Sequence, residues 1–171
     1  MAAVRTAIVG MGIGRYNARA IARNMRGRVV ALCDLFPERM EEVARELLEP
    51  VRRYTDYREL CRDPEVDALF VGTPNQWHVP VALEAVRAGK HVLLTKPLAD
   101  GLAAAQELVQ AAEAAGVVNM MSLSTRFDNS VRYLGALAQR GEFGDLYYAR
   151  ARSIRRSGIP DWSLGFIEAG G

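Results

Sequence analysis

Residues 6–15 read Thr6-Ala7-Ile8-Val9-Gly10-Met11-Gly12-Ile13-Gly14-Arg15, a short apolar run that breaks into alternating glycines. An apolar run of four residues ended by glycine suits a buried strand, and the helical spacing that begins at Gly14 suits a helix packed on it. In a dinucleotide-binding turn the first glycine makes the tight bend and the second lets the backbone approach a pyrophosphate. The helix start then offers free N–H groups to the anion. Gly10, Gly12, Ile13, Gly14 and Arg15 are therefore candidate phosphate-side residues. The spacing is GxGxG where the fingerprint has GxGxxG, so the third glycine falls one place early and Arg15 stands in its position. An ordinary tight strand-to-helix turn would use the same glycines.

Outward from this turn, apolar segments alternate with stretches of helical spacing, the pattern of a parallel sheet with crossover helices. Strands are expected at Thr6 to Val9, Val29 to Cys33, Val51 to Tyr54, Ala68 to Val71, His91 to Leu94 and Val117 to Met121. Helices are expected at Gly14 to Met25, Pro37 to Leu48, Tyr57 to Cys61, Val79 to Ala88 and Gly101 to Ala115. Asp56 and Asp100 suit N-caps, while Gly89 and Gly116 suit C-terminal caps. The fold class is thus α/β, a Rossmann-type doubly wound parallel sheet over residues 1–122. After Met121 the texture changes, with a helix expected from Phe127 to Arg140 and a strand from Leu146 to Arg155. Residues 123–171 read as the start of an incomplete α+β substrate domain, because a strand of that length needs partners.

The 171 residues carry 22 basic and 20 acidic side chains, a formal net charge of +2, which argues against a nucleic-acid partner. No apolar run is long enough to cross a membrane, and the N-terminus lacks the form of a signal peptide. Cys33 and Cys61 have no metal-ligand or CxxC spacing, so no metal is expected, and Cys33, inside an apolar run, reads as a buried thiol, which fits a reducing cytoplasm.

Asp34 ends the second expected strand, about 20 residues past the glycines, where an acidic side chain can accept hydrogen bonds from the adenosine ribose hydroxyls. That favours NAD over NADP, whose 2′-phosphate would meet the carboxylate, although Arg39 on the next helix could soften the repulsion. A solvated strand-end carboxylate is the alternative for Asp34. Thr73-Pro74-Asn75-Gln76-Trp77-His78 follows the fourth strand and Thr95-Lys96-Pro97 the fifth, so these loops share one rim with the glycine turn.

Together, VGxGxG, the strand-end Asp34, TPNxxH over Thr73 to His78, AGKHVLLxKP over Ala88 to Pro97, and Arg126-Phe127 before a helix resemble the Gfo/Idh/MocA family of oxidoreductases. The resemblance implies that Lys96 is the active-site lysine, placed between the nicotinamide ribose and the reacting hydroxyl, and that Thr73, Pro74, Asn75, His78 and Pro97 line the cofactor site. For His78, capping or packing its own helix is an equal alternative. Two departures stand out: Thr95 replaces the glutamate of the usual EKP, and Asn17 stands where a histidine is frequent. The resemblance also implies a downstream Asp and His, in a motif that Gly170-Gly171 would begin. Arg126 and Trp162 are the candidates on the substrate side.

The expected activity is hydride transfer between NAD and a sugar, cyclitol or related polyol. The alternatives are a non-catalytic dinucleotide-binding module or sensor, and an NAD-assisted hydrolase or lyase. Homo-oligomerisation through the C-terminal sheet is expected, since an unpaired strand edge invites self-association.

Overall fold

The computed structural model describes residues 2–47, 49–152 and 154. Six strands form one wholly parallel sheet: β1 (Val4–Val9), β2 (Gly27–Cys33), β3 (Arg52–Tyr54), β4 (Ala68–Val71), β5 (His91–Leu94) and β6 (Asn119–Met121). Their order is β3-β2-β1-β4-β5-β6, the doubly wound Rossmann arrangement, so the chain reverses its direction of travel between β1 and β4. Five helices connect these strands: α1 (Met11–Ala22), α2 (Pro37–Ala44), α3 (Tyr57–Cys61), α4 (His78–Arg87) and α5 (Leu102–Ala115).

Alternation along each strand splits the apolar residues between two cores. Ala7, Val9, Ala31, Cys33, Leu69, Val71, Val92 and Leu94 pack on one face with Leu60 and Cys61 of α3, Val81 and Ala85 of α4, and Leu108 and Ala112 of α5. Ile8, Leu32 and Phe70 pack on the other with Met11 and Ala18 of α1 and Met40 and Val43 of α2. Both cysteines are buried thiols, and burial pushes each up to about 12.

Half of the element boundaries fall where expected and nearly all the others move by one to three residues, while α2 ends four residues early, at Ala44. The informative shift is at α1, which starts at Met11 and not at Gly14. Gly10 takes φ +86°, which completes the bend within one residue, so the helix begins at once and Gly12 and Gly14 lie inside it. Asp56 caps α3 by accepting from the Arg58 N–H at 2.8 Å, and Gly116 closes α5 in the left-handed region. Asp100 does not cap α5; Gly101 holds that position without a side-chain bond. Lys90 of the AGKHV run is a structural clamp: its ammonium donates to the carbonyls of Asp63 at 2.9 Å and Val66 at 2.7 Å, closing the turn that leads into β4.

Contacts divide the chain into two units, Met1–Ser122 and Leu123–Gly171. In the second, a 3-10 turn (Ser124–Phe127) precedes α6 (Asn129–Gln139), which Asp128 caps by accepting from the Ser130 N–H at 2.9 Å. The strand expected over Leu146 to Arg155 does not form in its described part, residues 146–152 and 154. Extended chain becomes a strand only through ladder hydrogen bonds to a neighbour, and no described residue pairs with this segment.

Candidate functional site

Because all six strands are parallel, the loops that follow β1, β2, β4 and β5 open on one rim of the sheet. The reversal between β1 and β4 leaves a crevice there, the usual ligand position in open α/β sheets. The two loops flanking it touch. A Cβ built on Gly10 would lie 2.7 Å from the Gly72 carbonyl oxygen and 2.9 Å from the Thr73 nitrogen, so only glycine allows this approach. Gly14 has a different duty: its Cβ would sit 2.6 Å from Ile8 Cγ2, so its absence lets α1 pack closely on β1. This is the work of the third glycine in the usual fingerprint, done one place early. Arg15 is exposed, donating to the Tyr16 hydroxyl at 3.0 Å with its guanidinium over that ring, and has no part in the packing.

Gly12 faces open space, with nothing within 4 Å of a built Cβ. The N–H groups of Gly12 and Ile13 belong to the first turn of α1, where no intrahelical acceptor exists. Asp34 follows directly on β2 and reaches the same point. Its Oδ2 accepts from the Met11 N–H at 2.7 Å and its Oδ1 from the Phe36 N–H at 3.0 Å. The carboxylate thus ties the glycine turn to the β2–α2 loop and stands at the positive end of the α1 dipole. Arg39 lies further out, its guanidinium 4.4 Å above the Phe36 ring.

The loop after β4 contributes Thr73, Pro74 and, in a 3-10 turn, Asn75. The buried Thr73 hydroxyl finds no hydrogen-bond partner among the described residues. Trp77 packs edge-on against Tyr57 of α3 at 6.5 Å between centroids, an aromatic pair that the sequence reading did not single out.

His78 differs from the cofactor-lining residue that the resemblance implied. It is fully buried, with Nδ1 2.7 Å from the Pro97 carbonyl oxygen and Nε2 3.0 Å from the Thr73 carbonyl oxygen. Both ring nitrogens are occupied by the chain, and the imidazole ties the β4 loop to the β5 loop. Thr95 joins this network, its hydroxyl 3.1 Å from His78 Nε2 and 3.4 Å from the Val71 carbonyl oxygen. Thr95 had entered only as a missing glutamate, and its hydroxyl was the signal to follow. Asn17 stays on its own helix, donating to the Ile13 carbonyl at 3.3 Å. Lys96 is exposed on the rim between buried Thr95 and partly buried Pro97, and the Lys96–Pro97 peptide is cis. Arg126 is exposed in the 3-10 turn of the second unit, and Trp162 and Gly170-Gly171 lie outside the described residues.

A cavity of about 770 Å³ opens elsewhere, between Arg19 and Ala22 of α1, Gly27 to Val29 of β2 and the segment after α2. Its charged walls satisfy one another through the Arg19–Glu46 and Arg28–Glu49 ion pairs, and it shares none of the rim residues.

The rim suits a dinucleotide. Helix N–H groups without intrahelical acceptors stand at Gly12 and Ile13, the space beside Gly12 where a Cβ would lie is open, a carboxylate stands at the end of β2, and an orphaned hydroxyl waits at Thr73. These features define a nucleotide-binding Rossmann domain. The family model described as "Oxidoreductase family, NAD-binding Rossmann fold" matches residues 4–123, and the chain belongs to this family, Gfo/Idh/MocA. It is 28% identical over 162 residues to inositol 2-dehydrogenase of Salmonella typhimurium, covering 93% of this chain and 48% of that protein. It is 37% identical over 144 residues to trans-1,2-dihydrobenzene-1,2-diol dehydrogenase of Oryctolagus cuniculus, covering 84% and 44%. Among solved structures, scyllo-inositol dehydrogenase from Lactobacillus casei with bound NAD(H) and scyllo-inositol matches with a TM-score of 0.78 at 27% identity, covering 84% and 43%. The chain spans about half the length of the curated relatives it matches. No helix among the described residues is long and apolar enough to cross a membrane.

Proposed function

We propose that this chain is the cofactor-binding part of an NAD-dependent dehydrogenase acting on a sugar, cyclitol or related polyol. The observation that carries the cofactor choice is the Asp34 carboxylate, held 2.7 Å from the Met11 N–H at the mouth of the glycine turn. Fixed there, it can accept from ribose hydroxyls and repel a 2′-phosphate. Gly12 and Ile13 would donate to the pyrophosphate, Gly10 and Gly14 keep the turn tight, and Thr73, Pro74 and Asn75 border the crevice. Arg15 and Arg39 are exposed cations beside this path. The relatives named for inositol and dihydrodiol oxidation support a CH–OH substrate.

The nicotinamide, when bound, accepts or gives the hydride. Lys96 would supply the rest of what this chain offers to the reaction. Its ammonium can hold the reacting hydroxyl by a charge-assisted hydrogen bond, which lowers the energy of the alkoxide-like oxygen as the proton leaves. Arg126 remains a candidate for the substrate side. The test is calorimetric titration of the chain with NAD and with NADP. Tighter binding of NAD is expected, and equal curves, or no binding of either, would overturn the reading.

A further inference from the structure

We propose that His78 and Thr95 form a clamp that positions Lys96. The inference rests on the reading of Lys96 given above. The imidazole touches the chain on both sides of Lys96: Nδ1 meets the Pro97 carbonyl oxygen at 2.7 Å, and Nε2 meets the Thr95 hydroxyl at 3.1 Å. The third contact, 3.0 Å from Nε2 to the Thr73 carbonyl oxygen, anchors the ring to the loop after β4. A further bond from the Thr95 N–H to the Val71 carbonyl oxygen, at 3.0 Å, fixes the residue before Lys96 to the end of β4. One buried side chain therefore sets the relation between the crevice wall and the segment that carries the lysine.

The Pro97 and Thr73 carbonyl oxygens, at 2.7 and 3.0 Å from the two ring nitrogens, can only accept. The Thr95 hydroxyl can both donate and accept, and with the Val71 carbonyl oxygen 3.4 Å away it links the imidazole to the end of β4. Serine can replace Thr95, and valine, with the same shape and no hydroxyl, cannot.

Two readouts test the clamp. In imidazole nitrogen NMR of the chain, Thr95→Val should shift the His78 Nε2 signal, and Thr95→Ser should keep the original spectrum. In parallel, titration with NADH and with ADP separates positioning of Lys96 from general damage, because ADP lacks the nicotinamide ribose that Lys96 serves. Thr95→Val should weaken NADH by ~10-fold, the scale of one charged hydrogen bond, leave ADP unchanged, and be rescued by Thr95→Ser. An unchanged His78 spectrum in Thr95→Val, or equal losses for NADH and ADP, would overturn the clamp. Failure of the unmutated chain to bind NADH would overturn the proposed function and leave the spectrum to decide whether Thr95 holds the ring.

Discussion

The three glycines of the first turn invite one experiment, because the structure gives each a different reason for being glycine. Gly10 combines φ +86° with a Cβ position 2.7 Å from the Gly72 carbonyl oxygen, a backbone atom that no rotamer change can move. An alanine there adds the left-handed penalty of about 1–2 kcal/mol to an overpacking cost of about 1–3 kcal/mol, so about 2–5 kcal/mol of stability should go. Gly14 has ordinary backbone angles, and its Cβ would meet Ile8 Cγ2 at 2.6 Å, a side-chain atom that can shift in part. Overpacking of about 1–3 kcal/mol is offset there by up to about 1 kcal/mol of helix propensity, for a net loss of about 0–3 kcal/mol. Gly12 lies in the same helix and meets nothing within 4 Å, so Gly12→Ala should leave stability unchanged or raise it by up to about 1 kcal/mol. The dinucleotide should report a different order. Gly12→Val fills the space in front of two N–H donors, each worth about 1.5–3 kcal/mol to a charged acceptor. NAD affinity should then fall by roughly two to four orders of magnitude. Thermal unfolding by circular dichroism resolves the stability series, since 1 kcal/mol moves the midpoint by about 2–8 °C in a unit of this size. Calorimetry reads the affinity. A Gly12→Ala protein less stable than Gly14→Ala would refute the packing argument, and unchanged NAD affinity in Gly12→Val would put the phosphate site elsewhere.

For Asp34→Ala, we expect the preference for NAD over NADP to narrow by about 1–3 kcal/mol, measured by paired titrations, because an acceptor and a repulsive charge leave together. A preference that does not change would remove Asp34 from the discrimination. Hydrogen bonds from Arg5 hold the Asp67 carboxyl below its ordinary value, with the guanidinium contact at 2.6 Å. A lowered folded value means that the stabilisation is complete above the ordinary carboxylate pKa and is lost as pH falls through the folded one. Asp67→Asn should therefore flatten the acid limb of the stability profile below about pH 4 and leave its slope near neutrality unchanged. Cys33 and Cys61, buried thiols pushed up to about 12, should react with a thiol reagent at neutral pH only on unfolding. Fast labelling in the absence of urea would contradict the burial of the two cores.

The sheet was legible because its information is local. Ala68-Leu69-Phe70-Val71 and His91-Val92-Leu93-Leu94 each carry enough apolar character to name a strand, and both strands form over those residues. The alternation of strands and helices then permits few topologies. Asp34 was legible for the same reason, since its distance along the chain from the glycine turn places it at the neighbouring strand end.

What could not be read depended on pairings across space. The strand expected over Leu146 to Arg155 had the right residue types, but its existence rests on a neighbour that no local pattern supplies. Gly14 looked misplaced by one position until the contact with Ile8 showed which glycine lets helix and strand approach. His78 could be assigned to a ligand or to packing with equal justice, because its type says only that it has two nitrogens to satisfy. The partners that decide between them, Thr73, Thr95 and Pro97, come from two loops at the ends of adjacent strands, and parallel pairing of β4 with β5 brings them to one point. Thr95 follows the same logic. Compared with a sequence pattern it is a lost charge, whereas beside a buried imidazole with two carbonyl neighbours it is the one group able to donate. A residue that departs from a family's motif is best judged by the hydrogen-bond balance of the atoms around it, and at Thr95 that balance closes without the carboxylate.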